Sequence, residues 1–142
     1  MNFLLDTCIL SELVKKTPNP QIADWMNTQQ VECLFISSIT IAEINKGLFK
    51  IQHSQPERYT ALQNWLSKLE TQFIHRTLPI TDVILKTWSA ISAQADMQGN
   101  KLAVMDSLIA ATALTHELTL VTRNVNDFHV EALMLVNPYH SN

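Results

Sequence analysis

The chain alternates short apolar runs with longer segments whose apolar residues recur every three or four positions. Runs of four or five apolar residues are typical of strands that are buried on both faces. Apolar residues at helical spacing predict helices with one buried side. This alternation favours an α/β fold, a three-layer α/β/α sandwich with a mostly parallel central sheet. With only 2 glycines and 5 prolines in 142 residues, a loop-rich all-β fold is disfavoured.

The alternation places the predicted elements along one domain that spans residues 1–142. Strands are predicted at 2–5, 33–37, 74–78, 118–122 and 133–136. Helices are predicted at 9–14, 20–30, 39–50, 57–73, 82–99 and 106–117. Pro20 suits a helix start, Thr81 or Asp82 a helix N-cap, and Gly99 a helix end. In the third helix, the residues predicted to face the core are Ile41, Ile44, Leu48 and Phe49.

Four carboxylates lie beside these apolar segments, where a lone charge is costly unless it is paired, hydrogen-bonded or bound to a metal. Asp6 ends the first strand, and Glu43 lies about one turn into the helix after the second strand. Asp106 belongs to the first turn of a very apolar helix, and Asp127 follows the fourth strand by a few residues. Because ligands gather at the carboxyl ends of parallel strands, we expect all four to converge there.

Converging carboxylates form an oxygen-rich site that suits Mg²⁺, for which Mn²⁺ can substitute. Such a site predicts metal-assisted hydrolysis of a phosphodiester bond, with the metal activating a water molecule. Five neighbouring residues are predicted to support the site or to contact the substrate: Thr7, Ser37, Thr122, Arg123 and Asn124.

The net charge of −3 argues against a nucleic-acid partner at first sight. Without the four site carboxylates the net charge would be +1, so phosphate binding is permitted, although the charge does not predict it. No apolar run approaches the ~20 residues that cross a bilayer, and no signal peptide is recognisable, so a cytoplasmic protein without membrane contact is expected. The 5 histidines and 2 cysteines lack the spacing of a zinc site.

Four segments, in order and at these separations, resemble the PIN domain family, and specifically the VapC-type toxin ribonucleases of bacterial type II toxin–antitoxin pairs. They are LLDTCILSEL at 4–13, SSITIAEINKG at 37–47, MDSLIAATAL at 105–114 and VTRNVNDF at 121–128. The closing LMLVNPY at 133–139 is similar to the terminal strand of that family.

The resemblance implies a Mg²⁺-dependent endoribonuclease that forms a homodimer and is neutralised by a small DNA-binding antitoxin. In that family the antitoxin tail typically crosses the active-site groove. The acidic site carries over to Asp6, Glu43 and Asp106. For the fourth position, many members have an acid where this chain has Asn124, so Asp127 is the expected carboxylate, with Asn124 beside it.

Two alternatives of other classes remain open from the sequence. One is a catalytically idle PIN fold that acts as a binding module, such as a co-repressor with an antitoxin. The other is a flavodoxin-like receiver, which ranks lower because that fold usually has a lysine after a late strand, where this chain has Thr122 and Arg123. The acids also have ordinary interpretations, such as a helix N-cap for Asp6 and a turn residue for Asp127.

Overall fold

The centre of the protein is a sheet of five strands that all run parallel. A computed structural model describes residues 1–139. The strands are β1 (Phe3–Leu5), β2 (Leu34–Ser37), β3 (Thr77–Leu78), β4 (Thr119–Val121) and β5 (Leu135–Val136). The helices are α1 (Thr7–Leu13), α2 (Pro20–Thr28), α3 (Ser38–Ile51), α4 (Pro56–Gln72), α5 (Asp82–Gln98) and α6 (Val104–Thr115). Short 3-10 turns cover Val31–Cys33 and Val125–Asp127.

The strand order is β3-β2-β1-β4-β5, so the chain builds outward from β1 in one direction and then in the other. The boundary between β1 and β4 is therefore a switch point, where open α/β sheets bind their ligands. Pairing aligns Leu5 with Val121, and the Asp6 N–H extends it by donating to the Val121 carbonyl at 2.9 Å. The first residue after β1 is thus fixed at this edge.

Two apolar layers cover the sheet, because successive strand residues point to opposite faces. Phe3 and Leu5 pack with the layer that contains α1 to α4, whereas Leu4 packs with the layer of α5 and α6. Leu120 and Val121 of β4 divide in the same way. The predicted three-layer sandwich with a parallel sheet is confirmed.

Helix ends follow the local signals in the sequence. The side chain of Asn19 caps α2 by accepting from the N–H groups of Gln21 and Ile22, and Pro20 occupies the first helical position. Thr81 caps α5 through its hydroxyl, and Gly99 ends that helix at φ 73°, a conformation that glycine adopts without strain. No helix within residues 1–139 is long and apolar enough to cross a membrane.

Two local predictions were wrong. The strand predicted at 74–78 is reduced to Thr77–Leu78, since the chain is still turning out of α4: the Arg76 N–H donates to the Phe73 carbonyl, and Ile74 is exposed. Phe49 was predicted to face the core but is 62% exposed. The inward line of α3 runs through Thr40 and Leu48, and Phe49 lies about 100° away from Leu48 around the helix.

Candidate active site

Asp6 lies at the switch point with both carboxylate oxygens hydrogen-bonded, and it is only 5% exposed. Its Oδ1 accepts from the Thr7 N–H at 2.7 Å, which makes Asp6 the N-cap of α1. Its Oδ2 accepts from the Thr122 hydroxyl at 2.7 Å. A helix cap needs only one oxygen, so the contact across the sheet to Thr122 goes beyond what capping requires.

Thr122 follows β4 directly and joins the two strand ends. Its buried hydroxyl donates to Asp6 and accepts from the Asn124 N–H at 3.1 Å. Cys8 lies beside this pair, with its Sγ 3.6 Å from Asp6 Oδ2. Burial and the nearby Asp6 charge raise the pKa of the Cys8 thiol, so it remains protonated. This thiol was not among the predicted site residues.

Glu43 approaches the same edge from α3 and is positioned by α1. The Thr7 hydroxyl lies 2.7 Å from Glu43 Oε1, to which it donates, and 3.2 Å from the hydroxyl of Thr40. Thr40 was missed because a threonine among isoleucines is read as a core residue. Its position one turn before Glu43 was the available signal, since residues three apart share a helix face.

Asp106 and Asp127 complete the acidic group. Asp106 is half-buried in the first turn of α6, as predicted, and Asp127 is exposed in the turn at Val125–Asp127. Burial raises the pKa of Asp106, and the charges of Asp6, Glu43 and Asp127 raise it further, to about 6. The four carboxylates are therefore close enough for their charges to interact.

The remaining predicted residues are placed differently. The Ser37 hydroxyl is fully buried and caps α3 by accepting from the Ile39 N–H, so it does not line the mouth of the site. The Arg123 guanidinium stacks over the ring of Tyr139 at 4.9 Å. Asn124 is exposed and contributes its backbone N–H to Thr122.

The donor set fits a hard divalent cation. Each carboxylate oxygen has two lone pairs, so Asp6 keeps acceptor capacity after its hydrogen bonds are made. Among residues 1–139, no three His, Cys, Asp or Glu side chains lie close enough together to ligate one ion. Mg²⁺ does not require three, because it usually binds through one or two carboxylates and retains several waters.

An apolar groove opens beside the acids, between α1, α3 and α4. Its volume is about 1080 Å³, and Thr7 and Glu43 form part of its wall. Its apolar lining includes Val14, Ile44, Leu48, Leu62 and Trp65, and its charged lining includes Lys15, Lys16, Glu57 and Arg58. The groove therefore offers an apolar surface that ends at Glu43, one of the four acids.

Comparison with known proteins agrees with this arrangement. The PIN domain family matches residues 3–130. This chain belongs to the PIN domain family. Its PIN fold is similar over 98% of the chain to the crystal structure of FitAcB from Neisseria gonorrhoeae, with a TM-score of 0.90 and 29% identity over 99% of that chain.

Two curated relatives of this PIN domain are similar over nearly their whole length. Toxin FitB of Neisseria gonorrhoeae is 30% identical over 139 residues, which are 96% of this chain and 98% of FitB. The VapC ribonuclease Y4jK of Sinorhizobium fredii is 32% identical over 137 residues, 96% of each chain. The predicted family is confirmed.

Proposed function

We propose that this PIN domain is a Mg²⁺-dependent endoribonuclease and the toxin of a toxin–antitoxin pair. The observation that carries the proposal is the convergence of the Asp6, Glu43 and Asp127 charges on Asp106 at the switch point of the sheet. The similarity to a VapC ribonuclease and to toxin FitB supports the same conclusion.

Asp6, Glu43, Asp106 and Asp127 are the proposed catalytic and metal-binding residues. When bound, Mg²⁺ or Mn²⁺ supplies an activated water and offsets the negative charge that develops on the phosphate. The chain itself holds the carboxylates in place: Thr122 fixes Asp6, and Thr7 fixes Glu43. In the absence of a cation, Asp106 is about half protonated near pH 6, because burial and then its negative neighbours raise its pKa.

The proposed partner is a small DNA-binding antitoxin whose tail lies in the groove between α1, α3 and α4. The groove has the apolar lining that such a segment requires, and it leads to Glu43. Lys15, Lys16 and Arg58 would favour acidic residues in the antitoxin tail. Occupation of the groove would block access to the acids and so neutralise the toxin.

We further propose a cytoplasmic homodimer in which residues 1–142 form one nuclease domain. Large apolar side chains are exposed on α5 and α6, two helices that pack against each other. They include Val83, Leu85, Val104 and Met105. We expect a second copy of the chain to cover side chains of this kind.

The experiment is an RNA cleavage assay with the purified chain in Mg²⁺, in Mn²⁺ and in EDTA. Wild type should cleave only with metal, and Asp106→Asn should abolish cleavage. Asp82→Asn is the matched control, because Asp82 is also an acid in the first turn of a helix and lies outside the acidic group. Wild type that binds an antitoxin but cleaves no RNA with either metal would instead favour the idle binding module.

A further inference from the structure

Thr40 is a fully buried polar residue in the first turn of α3. Within residues 1–139, its hydroxyl makes no hydrogen bond to its own helix. Its hydroxyl lies 3.2 Å from the hydroxyl of Thr7, which belongs to α1. Within residues 1–139 this is the hydrogen bond that the Thr40 side chain makes. Burial of a hydroxyl is unfavourable without such a partner, so the contact fixes the Thr40 rotamer.

The Thr7 hydroxyl lies between two acceptors. It donates to the Glu43 carboxylate, which can only accept, at 2.7 Å, and it also points toward the Thr40 oxygen at 3.2 Å. Its one proton favours the shorter, charged contact to Glu43. The Thr40 oxygen fixes the position of the Thr7 hydroxyl from the other side, so that Thr7 stays beside Glu43.

A second buried threonine shows what a structural role looks like in this protein. Thr112 in α6 is also fully buried, but its hydroxyl donates to the Leu108 carbonyl at 2.8 Å, within its own helix. Thr60 and Thr71 in α4 bond back to their own helix in the same way. The Thr40 hydroxyl instead crosses to another element and ends at an acid.

We propose that Thr40 is a positioning residue of the nuclease site, acting through Thr7 to fix the Glu43 carboxylate. This inference rests on the proposed function. With Oε1 anchored by Thr7, the other oxygen of Glu43 is free to face the cation or its waters. Mutation of residues that orient the ligands of a metal in this way typically lowers metal affinity or activity by about 10–100-fold.

The test uses three variants of the full chain. Thr40→Val keeps the shape and removes the hydroxyl, whereas Thr40→Ser keeps the hydroxyl. Thr112→Val makes the same change at the matched buried threonine. For each variant, Mn²⁺ affinity is measured by calorimetry, RNA cleavage is measured as kcat and KM, and folding is monitored by thermal unfolding.

Thr40→Val should weaken Mn²⁺ binding about 10-fold and lower kcat about 10-fold, with KM for RNA unchanged. Thr40→Ser should restore both values to within about twofold of wild type, since the hydroxyl that contacts Thr7 is retained. Thr112→Val should lower the unfolding temperature without changing Mn²⁺ affinity. If Thr40→Val does not fold, Thr40→Ala removes the same hydroxyl without the added bulk of a second methyl group.

A folded Thr40→Val or Thr40→Ala protein that binds Mn²⁺ and cleaves RNA like wild type overturns the inference and leaves the proposed function intact. Weaker Mn²⁺ binding in a chain whose wild type cleaves no RNA supports the inference and overturns the proposed function. A wild type that binds no Mn²⁺ overturns both.

Discussion

Helix α1 has a buried acidic side chain near each end, Asp6 at its start and Glu12 near its end. The two differ in whether the chain provides a cation to balance their charge. At its start, Asp6 belongs to a group of four carboxylates, and within residues 1–139 none of them forms a salt bridge. Near its end, the buried Glu12 pairs with Lys15 and accepts from the Asn19 N–H at 3.0 Å. The hydrogen bond from Lys15 lowers the pKa of Glu12, whereas burial and neighbouring acids raise the pKa of Asp106.

The contrast separates a structural carboxylate from a functional one. Glu12 has a cation and a backbone donor inside the chain, so its ionised form is favoured by the fold alone. Asp6 and Glu43 accept hydrogen bonds from hydroxyl or backbone groups, but within residues 1–139 none of the four site acids pairs with a cation, so their mutual repulsion is left uncompensated. A group built in this way favours a positive charge from outside, as the proposed metal-dependent nuclease would require.

The largest expected effect is on the rate of RNA cleavage, which should depend on the site acids but not on Glu12. Asp6→Asn should lower kcat for RNA cleavage about 100-fold or more, because one of the proposed metal ligands is lost. Glu12→Gln should leave kcat near the wild-type value, since Glu12 belongs to the structural region. A cleavage assay with both purified variants measures this, and similar losses in the two would contradict the distinction.

The second effect is stabilisation by metal. Saturating Mg²⁺, at about 100 times its Kd, should stabilise the wild type by roughly 2.7 kcal/mol and raise Tm by about 8 °C. Glu12→Gln should show the same rise, and Asp106→Asn should lose most of it. Thermal unfolding with and without Mg²⁺ measures the difference. An undiminished rise in Asp106→Asn would mean that the cation binds elsewhere.

The third effect is pH dependence in EDTA. The pKa of Asp106 rises from 3.8 to about 6 on folding, so the folded state retains a proton that the unfolded state releases. Stability should therefore fall as pH rises from about 4 to about 6 and stay lower above that range. Asp106→Asn should raise Tm at pH 7.5 by about 3 °C, a figure reduced for partial solvent screening, and much less at pH 4.5.

Replacing Glu12 should change Tm in the opposite direction in the same experiment. Its pKa is lowered on folding, so its contribution is present above its ordinary pKa and is lost as pH falls through the folded value. Glu12→Gln should lower Tm at pH 7.5, with a smaller effect at low pH. If both variants shifted Tm in one direction at pH 7.5, the two regions would not differ in electrostatics.

The smallest effect concerns the partner of Glu12. Lys15 is largely exposed, and exposed pairs contribute little, so Lys15→Gln should change Tm by no more than about 2 °C. The Asn19 N–H still donates to Glu12 in that variant. Lys16→Gln is the matched control next to it in the sequence. A Tm loss larger than that of Glu12→Gln would show that Lys15 has a further role.

Which segments form strands or helices, and where several of them end, could be predicted from the sequence because the signals are local. Apolar runs marked β1 and β4, Thr81 marked the start of α5, and Gly99 marked its end. Asp6 was placed at a strand end, and Asp106 in a first helical turn, from the same signals. The family followed from the order of four motifs, which the match over residues 3–130 confirms.

The direction of individual side chains and their hydrogen-bond partners could not be predicted, since neither is a property of a local sequence pattern. An apolar residue near the end of a helix can be exposed to solvent, as Phe49 is. An apolar residue can also lie in a turn, as Ile74 does. The Ser37 hydroxyl, which was predicted to support the site or to contact the substrate, instead caps α3 and is buried. The role of Thr40 depends on Thr7, 33 residues away, and no periodicity encodes that contact.

The sequence by itself determined that this protein is a layered α/β chain with four carboxylates near the ends of its strands. Hydrophobic periodicity and residue chemistry are sufficient for that. Only the tertiary structure decided which groups meet, because pairing of β1 with β4 brings together Asp6 and Thr122, 116 residues apart. It also decided that, within residues 1–139, Glu12 pairs with a cation and Asp106 does not, and this difference in charge compensation distinguishes the acid that supports the fold from those proposed to act on RNA.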